Sequence, residues 1–268
     1  MKIGSKSLIL ILISDSDKLK NAFMYNNYCY LFLLLLIVGC SRPDKSEKII
    51  NESIEAHGGD LFKSAQISFT FRDRQYEIFK SPNSFRYTRS FTEEAKRVKD
   101  VLNDDGFTRT IDDEEVSLSD EKRLAYSNSV NSVAYFTFLP YGLNDEAVIK
   151  AYLGLEEIEG NNYHLVKVTF KENGGGEDFQ DEFLYWINQE THHVDYLAYS
   201  YHTDGGGLRF RKAINKHEVS GLVLQDYENY KPEDESISVE ELSLLFKNGD
   251  LELLSEIILE NIEVQVLK

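Results

Sequence analysis

The chain has 268 residues, with 46 Asp and Glu against 29 Lys and Arg and a formal net charge of −17. That excess of acid argues against nucleic acid, whose phosphates draw Lys and Arg, and against recognition of anionic lipid surfaces by charge. It favours solubility and a non-sticky surface.

The first informative stretch is Leu31 to Val38, an apolar run that stops at Gly39-Cys40 and gives way to Ser41-Arg42-Pro43-Asp44. A membrane-spanning helix needs about 20 apolar residues, whereas a secretory core needs about 7–15. The run is therefore expected to be a cleaved signal and not an anchor. Ile37-Val38-Gly39-Cys40 resembles the lipobox of bacterial lipoproteins. The resemblance implies that Cys40 becomes the lipidated first residue of the mature protein; the alternative is a buried cysteine at the end of a core strand. Residues 1–39 form a long signal in which a second apolar patch, Leu8 to Ile13, precedes the main run, and Met24 is an alternative start. The expected organisation is signal peptide 1–39, lipidated tether 40–48 and a single domain 49–268.

Removing four Lys and two Asp with the signal leaves 25 basic and 44 acidic residues, a net charge of −19. Cys29 falls within the signal, so neither a disulfide nor a thiolate metal site is expected. An exported domain of this size must rely on its core, and it is long enough to bury one.

After the tether, Asp44 and Glu47 have the spacing of a capping box. Ile49, Ile50 and Ile54 share one helical face, and His57-Gly58-Gly59 supplies a helix stop. The spacing predicts a helix over Lys45–Ala56, with Leu61 and Phe62 continuing its packing. The period then falls to two. Ile67, Phe69 and Phe71 alternate with polar residues, as do Tyr76 and Ile78, and Phe85, Tyr87 and Phe91. Half-buried antiparallel strands follow, with Pro82-Asn83 as a turn. Further strands are expected at Val98–Leu102, Phe107–Ile111 and Glu115–Leu118. The acidic run Asp112 to Glu115 reads as a solvated turn; it lacks the spacing, central glycine and terminal Glu of a calcium loop.

Leu124 to Leu153 breaks the strand rhythm. Asn128–Leu139, with Val130, Val133, Ala134, Phe136 and Phe138, reads as a short apolar helix ended by Pro140 and Gly142. It either plugs the open end of a sheet or lines a pocket, and the plug is the simpler expectation. Strands resume at Tyr163–Phe170, Glu182–Ile187, Val194–Tyr201, Leu208–Lys212 and Leu222–Tyr227, separated by glycine runs at 174–176 and 205–207. Val239–Phe246 is a last short helix, and Leu251–Val266 supplies pieces that close the sheet. The expected fold is mostly β: one curved antiparallel half-barrel of about ten strands covered by two or three short helices.

The lipobox, the helix ending in His57-Gly58-Gly59, the antiparallel strands and the Phe-rich helix running into Leu139-Pro140-Tyr141-Gly142-Leu143 resemble the LolA/LolB-like lipoprotein-carrier fold. Phe183-Leu184-Tyr185-Trp186-Ile187 with Val194 to Leu197, and Leu208-Arg209-Phe210 with Gly221-Leu222, resemble paired strands of an uncharacterised Gram-negative lipoprotein family with that fold. The resemblance implies an incomplete barrel with a helix-covered hydrophobic cavity for acyl chains. It places no single functional residue.

The catalytic motifs searched for are weak. His192, His193, Asp195 and His202 invite a metal, but at most two converge on one strand face where zinc wants three or four. His57 reads as a helix-end residue. No Gly-x-Ser-x-Gly elbow is present, and the glycine runs lack the strand-to-helix setting of a phosphate loop. No metal, cofactor or catalytic residue is expected. The aromatics remain: Tyr135, Phe136, Phe138, Tyr185, Trp186, Tyr199 and Phe210 are the candidates to line an apolar cavity, with core packing as the default. The resulting expectation is a non-enzymatic lipoprotein, exported to the cell envelope and held by lipidated Cys40, in the outer membrane facing periplasm or surface, that binds a lipid or other hydrophobic ligand. The alternatives are an envelope scaffold that binds another protein and a hydrolase with an unrecognised site near His192 and His202.

Overall fold

The computed structural model describes residues 44–173, 179–202 and 205–267. The expected signal, Cys40, residues 41–43 of the tether, the glycines 174–176 and Asp204 lie outside the described residues.

Helix α1 covers Lys45–His57 and buries Ile49, Ile50 and Ile54. The expected capping box does not form. Asp44 takes the N-cap position without a side-chain bond to the helix backbone, and its carboxylate instead accepts the Ser46 hydroxyl at 2.5 Å. Gly58 ends the helix at φ 125, and a Cβ there would stand 2.6 Å from Leu222, so both conformation and space require glycine. A 3-10 turn, Gly59–Lys63, then buries Phe62 completely.

Six strands follow as a meander: β1 Ala65–Phe71, β2 Arg74–Ser81, β3 Ser84–Glu93, β4 Lys96–Asn103, β5 Gly106–Ile111 and β6 Glu114–Glu115. Three of their turns are two-residue pairs at positive φ, Arg72-Asp73, Glu94-Ala95 and Asp112-Asp113. That geometry matches the twist of antiparallel strands. Helix α2, Asp120–Thr137, crosses from β6 to the second half. That half holds β7 Val148–Ile158, β8 Asn161–Phe170, β9 Glu182–Asn188, β10 Val194–Tyr201, β11 Gly207–Val219 and β12 Leu222–Lys231. A 3-10 turn, Val239–Glu241, leads into α3 Leu242–Asn248, and β13 Glu252–Ile257 and β14 Glu260–Val266 end the described chain.

The strands form two antiparallel seven-stranded sheets, ordered β14-β1-β2-β3-β4-β5-β6 and β13-β12-β11-β10-β9-β8-β7. Only Ile258 and Leu259 separate β13 from β14. One extended segment therefore serves both sheets, and the two read as a single curved surface with a seam, left open at β6 and β7. Buried Asp226 pins the seam by accepting the Leu259 N–H at 2.8 Å. The fold is the expected mostly-β half-barrel, with fourteen strands in two sheets among the described residues where about ten strands and one sheet were expected.

Two local differences have plain causes. α2 begins eight residues before the expected Asn128, because its first turns face water and carry no apolar period. Its start is instead marked by Asp120 and Glu121 beside the helix dipole and by Ser119, which accepts the Lys122 N–H at 3.4 Å. β7 occupies sequence read as irregular. It is an edge strand that leaves Ile149, Leu153 and Leu155 exposed, so alternation does not separate core from solvent there.

Three apolar clusters hold the fold. The first lies between α1, α2 and one face of the second sheet, with Phe183, Tyr185 and Ile187 of β9. The second joins Phe62, Ile67, Phe69 and Tyr76 to Ala134 of α2 and to Phe138, which caps that helix. The third lies on the opposite face of the second sheet, where Leu184, Trp186 and Phe210 pack under α3. Successive β9 residues thus fill different clusters, as strand geometry dictates.

Candidate functional site

The seam opens a cavity of about 480 Å³. Its walls are Phe69, Phe71 and Tyr76 from the first sheet, Leu224 and Tyr227 from β12, and Val133 and Phe136 from α2. Ile257 and Leu259 line it where the chain passes between sheets. Ser129 and Ser132 of α2, both exposed, mark the side facing water. The apolar helix expected as a plug therefore lines a pocket as well, while its Val130 and Ala134 are buried in the core.

The polar lining combines three arginines with serines, a threonine and two side-chain amides. Arg72 and Arg74 flank the β1–β2 turn; Arg72 Nη2 donates to the Ser255 hydroxyl at 3.0 Å, and Arg74 lies 4.5 Å from the centre of the Phe91 ring. Arg211 of β11 lies deeper. Its Nη2 donates to the Tyr199 hydroxyl at 2.8 Å, and its guanidinium carbon lies 3.7 Å over the Phe136 ring. Its buried Nε has no hydrogen-bond partner among the described residues. Gln225 and Asn229, both buried, complete the polar side.

The aromatic residues singled out from the sequence divide by face. Phe136 lines the cavity. Tyr199 and Tyr135 pack in the adjoining cluster with Tyr185, and the Tyr135 and Tyr185 hydroxyls meet at 2.8 Å. Burial pushes both phenols above their ordinary pKa. Phe138 is buried against Phe62 and Tyr87. Trp186 and Phe210 lie across the sheet from the cavity, fully buried in the cluster under α3.

Behind Gln225 lies His57, fully buried at the end of α1. Its Nδ1 is 2.8 Å from the Ser53 carbonyl oxygen, and its Nε2 is 3.3 Å from the Gln225 side-chain amide. Burial lowers its pKa from 6.5 to about 4, so the ring is neutral near pH 7. His193 meets it edge-on, with ring centres 4.9 Å apart. Lys216 Nζ lies 3.0 Å from both His193 Nδ1 and Asp195 Oδ1, so these two are joined by an ammonium group. His202 Nδ1 sits instead 3.1 Å from Asp181. His192 and His202 flank opposite ends of β10, whose 8 residues span about 25 Å at strand rise. Among the described residues, no group of three or more His, Cys, Asp or Glu is placed to hold a metal, and no helix is long and apolar enough to cross a membrane.

Sequence reasoning missed the arginines. Leu208 and Phe210 alternate with Arg209 and Arg211, which reads as core face against solvent face. Both faces of this sheet are covered, so Phe210 and Arg211 are both buried. It also missed a buried triad. Asp100 takes Arg89 at 2.6 and 2.9 Å and Arg109 at 2.6 and 3.0 Å. The three are direct cross-strand partners on β3, β4 and β5. Arg89 also donates to Ser129 at the cavity edge at 2.7 Å. The only available signal was complementary charge at facing register positions.

A model of a family of unknown function, DUF6503, matches residues 26–261. No curated protein matches. Among solved structures, the chain is similar to a LolA superfamily protein from Nitrosomonas europaea, at TM-score 0.45 and 15% identity over 83% of this chain and 94% of that one. It is also similar to a DUF1329 family protein from Desulfovibrio piger, at TM-score 0.41 and 10% identity over 84% and 95%. A third is a putative outer membrane lipoprotein-sorting protein domain from Vibrio parahaemolyticus, at 0.37 and 9% over 85% and 95%. The resemblance to LolA read from the sequence has its counterpart in the first of these. At such scores the likenesses carry no functional weight.

Proposed function

The chain belongs to the DUF6503 family of unknown function, and we propose that it is a non-enzymatic binding lipoprotein. It holds a hydrophobic ligand in the cavity at the seam, while a lipid on Cys40 ties it to an envelope membrane. The observation that carries this reading is the cavity itself. Its volume of about 480 Å³ falls within the range of small-molecule sites, about 300–1,000 Å³. Aromatic and aliphatic side chains from both sheets and α2 supply much of its wall, and Arg211, Gln225 and Asn229 lie together on the second sheet. That division suits a ligand with an apolar body and one polar end. The lipobox-like Ile37-Val38-Gly39-Cys40 supports the anchor; stable anchoring there takes more than one acyl chain, since a single chain binds a membrane only marginally.

Uptake of a fluorescent fatty acid by protein purified without detergent tests the binding role. Saturable uptake supports it; no uptake together with no solvent-extractable lipid ends it. Metabolic labelling with an acyl precursor tests the anchor, and label that persists in Cys40→Ser would contradict attachment there.

A second reading, an envelope scaffold, draws on one observation: the open edge strand β7 exposes Ile149, Leu153 and Leu155. A photoreactive residue at Leu155 would crosslink to a partner in cells under this reading, and to none if the strand is merely solvated.

A further inference from the structure

Resting on the cavity reading above, we infer that the ligand is a single-chain amphiphile with an anionic head group, a carboxylate or a phosphate monoester, and that this group pairs with the Arg211 guanidinium. The first support is charge distribution. The chain carries 46 acidic residues against 29 basic ones, yet among the described residues its cavity is lined by three arginines and by no Asp or Glu. A cationic cleft in an anionic protein focuses the field on negative ligands.

The second support is Arg211 itself, which is only 9% exposed. A buried charge without a counterion is costly, and the same protein shows how it otherwise meets that cost. Arg89 and Arg109 share the carboxylate of Asp100. Arg211 has the Tyr199 hydroxyl and the face of Phe136, and its Nε is left unpaired among the described residues. Arg211 contributes to the cavity lining, and a planar guanidinium matches the two oxygens of a carboxylate or phosphate. The missing counterion is the ligand's head group.

The third support is arrangement. Arg211, Asn229 and Ser255 are successive cross-strand neighbours on β11, β12 and β13, and Ser255 is bonded to Arg72. They form a polar stripe on the second sheet. Phe69, Phe71, Tyr76 and Val133 supply apolar wall from the first sheet and α2. A head group on the stripe leaves one hydrocarbon chain to run along that wall, and the volume suits one small ligand.

The test is a set of displacement titrations with dodecanoate, dodecyl phosphate, dodecanol and dodecyltrimethylammonium, each below its micelle concentration. The two anions should bind about tenfold or more tighter than dodecanol, the scale of one charge-assisted hydrogen-bonded pair. The ammonium compound should bind most weakly. Arg211→Gln should remove most of the gap between dodecanoate and dodecanol. The comparison between the two anions identifies the head group. Equal wild-type affinity for dodecanol and dodecanoate would overturn the head-group assignment and leave the cavity reading standing. Binding of none of the four would overturn both. If Arg211→Gln does not fold, the wild-type comparison decides alone.

Discussion

The second sheet packs aromatic side chains on both faces, and the two faces have opposite outcomes. Under α3, Phe246 stacks on Phe210 with ring centres 4.7 Å apart, and the Trp186 indole N–H donates to Glu156 at 2.8 Å. Other polar hydrogens of that cluster also have partners: the Tyr196 hydroxyl donates to Glu159 at 2.8 Å and that of Tyr230 to Glu228 at 2.6 Å. Across the sheet, Phe136 and Tyr199 meet Arg211 beside a hollow of about 480 Å³, and among the described residues its Nε has no hydrogen-bond partner. The difference lies in what covers each face. A short helix lies over the outer face. The inner face must meet a second sheet across a seam, and α2 bridges the remaining distance without filling it. Aromatic content alone does not distinguish a core from a site; an unsatisfied polar group beside a hollow does.

The largest expected effect sharpens that contrast from the sealed side. Trp186→Ala should cost about 3–5 kcal/mol of stability, the usual penalty for emptying a large core site, as read by chemical denaturation. Ligand affinity of the protein that remains folded should not change. A loss of affinity at unchanged stability would mean that the two faces are coupled and the contrast is false.

Next comes a pH response that belongs to the cavity side alone, through His57 behind Gln225. Its folded pKa of about 4 lies below the ordinary 6.5. The neutral ring therefore favours the fold fully above pH 6.5, and that contribution is lost as pH falls from 6.5 towards 4. The loss amounts to about 3 kcal/mol at most. Unfolding free energies measured across that window should fall more steeply for wild type than for His57→Gln. Parallel curves would show that the buried imidazole does not govern the response.

The smallest effect concerns the wall itself. Phe136→Ala removes a half-buried ring from the cavity and from the face of Arg211. Affinity for a fatty acid should fall about fivefold, equivalent to about 1 kcal/mol of lost apolar contact, as read by titration. An unchanged affinity would place the ligand elsewhere.

Much of this fold was legible because period and punctuation agree with it. The Ile49, Ile50 and Ile54 face, the Gly58 stop, the strand meander and the Asp112-Asp113 turn all follow from local chemistry. What was not legible depends on long-range covering. β7 hides at an edge. Arg211 sits at a position where alternation points to water, and only the closure of the sheet against α2 buries it. Phe136, a candidate from the sequence, lies beside the hollow. Trp186 and Phe210 were chosen by the same reasoning but lie on the other face, since aromatic strand residues carry no mark of which side a helix will cover. The seam arises from a two-residue break at Ile258 and Leu259, both apolar, where the sequence shows no turn signal.

The most direct test of the central claim is native mass spectrometry of detergent-free wild type beside Ser132→Trp, which places a large side chain on the cavity lining. The account predicts one bound amphiphile on the wild type and none on the variant, with both proteins folded. A bare wild type that takes up no fatty acid, or a ligand retained equally by Ser132→Trp, would contradict it.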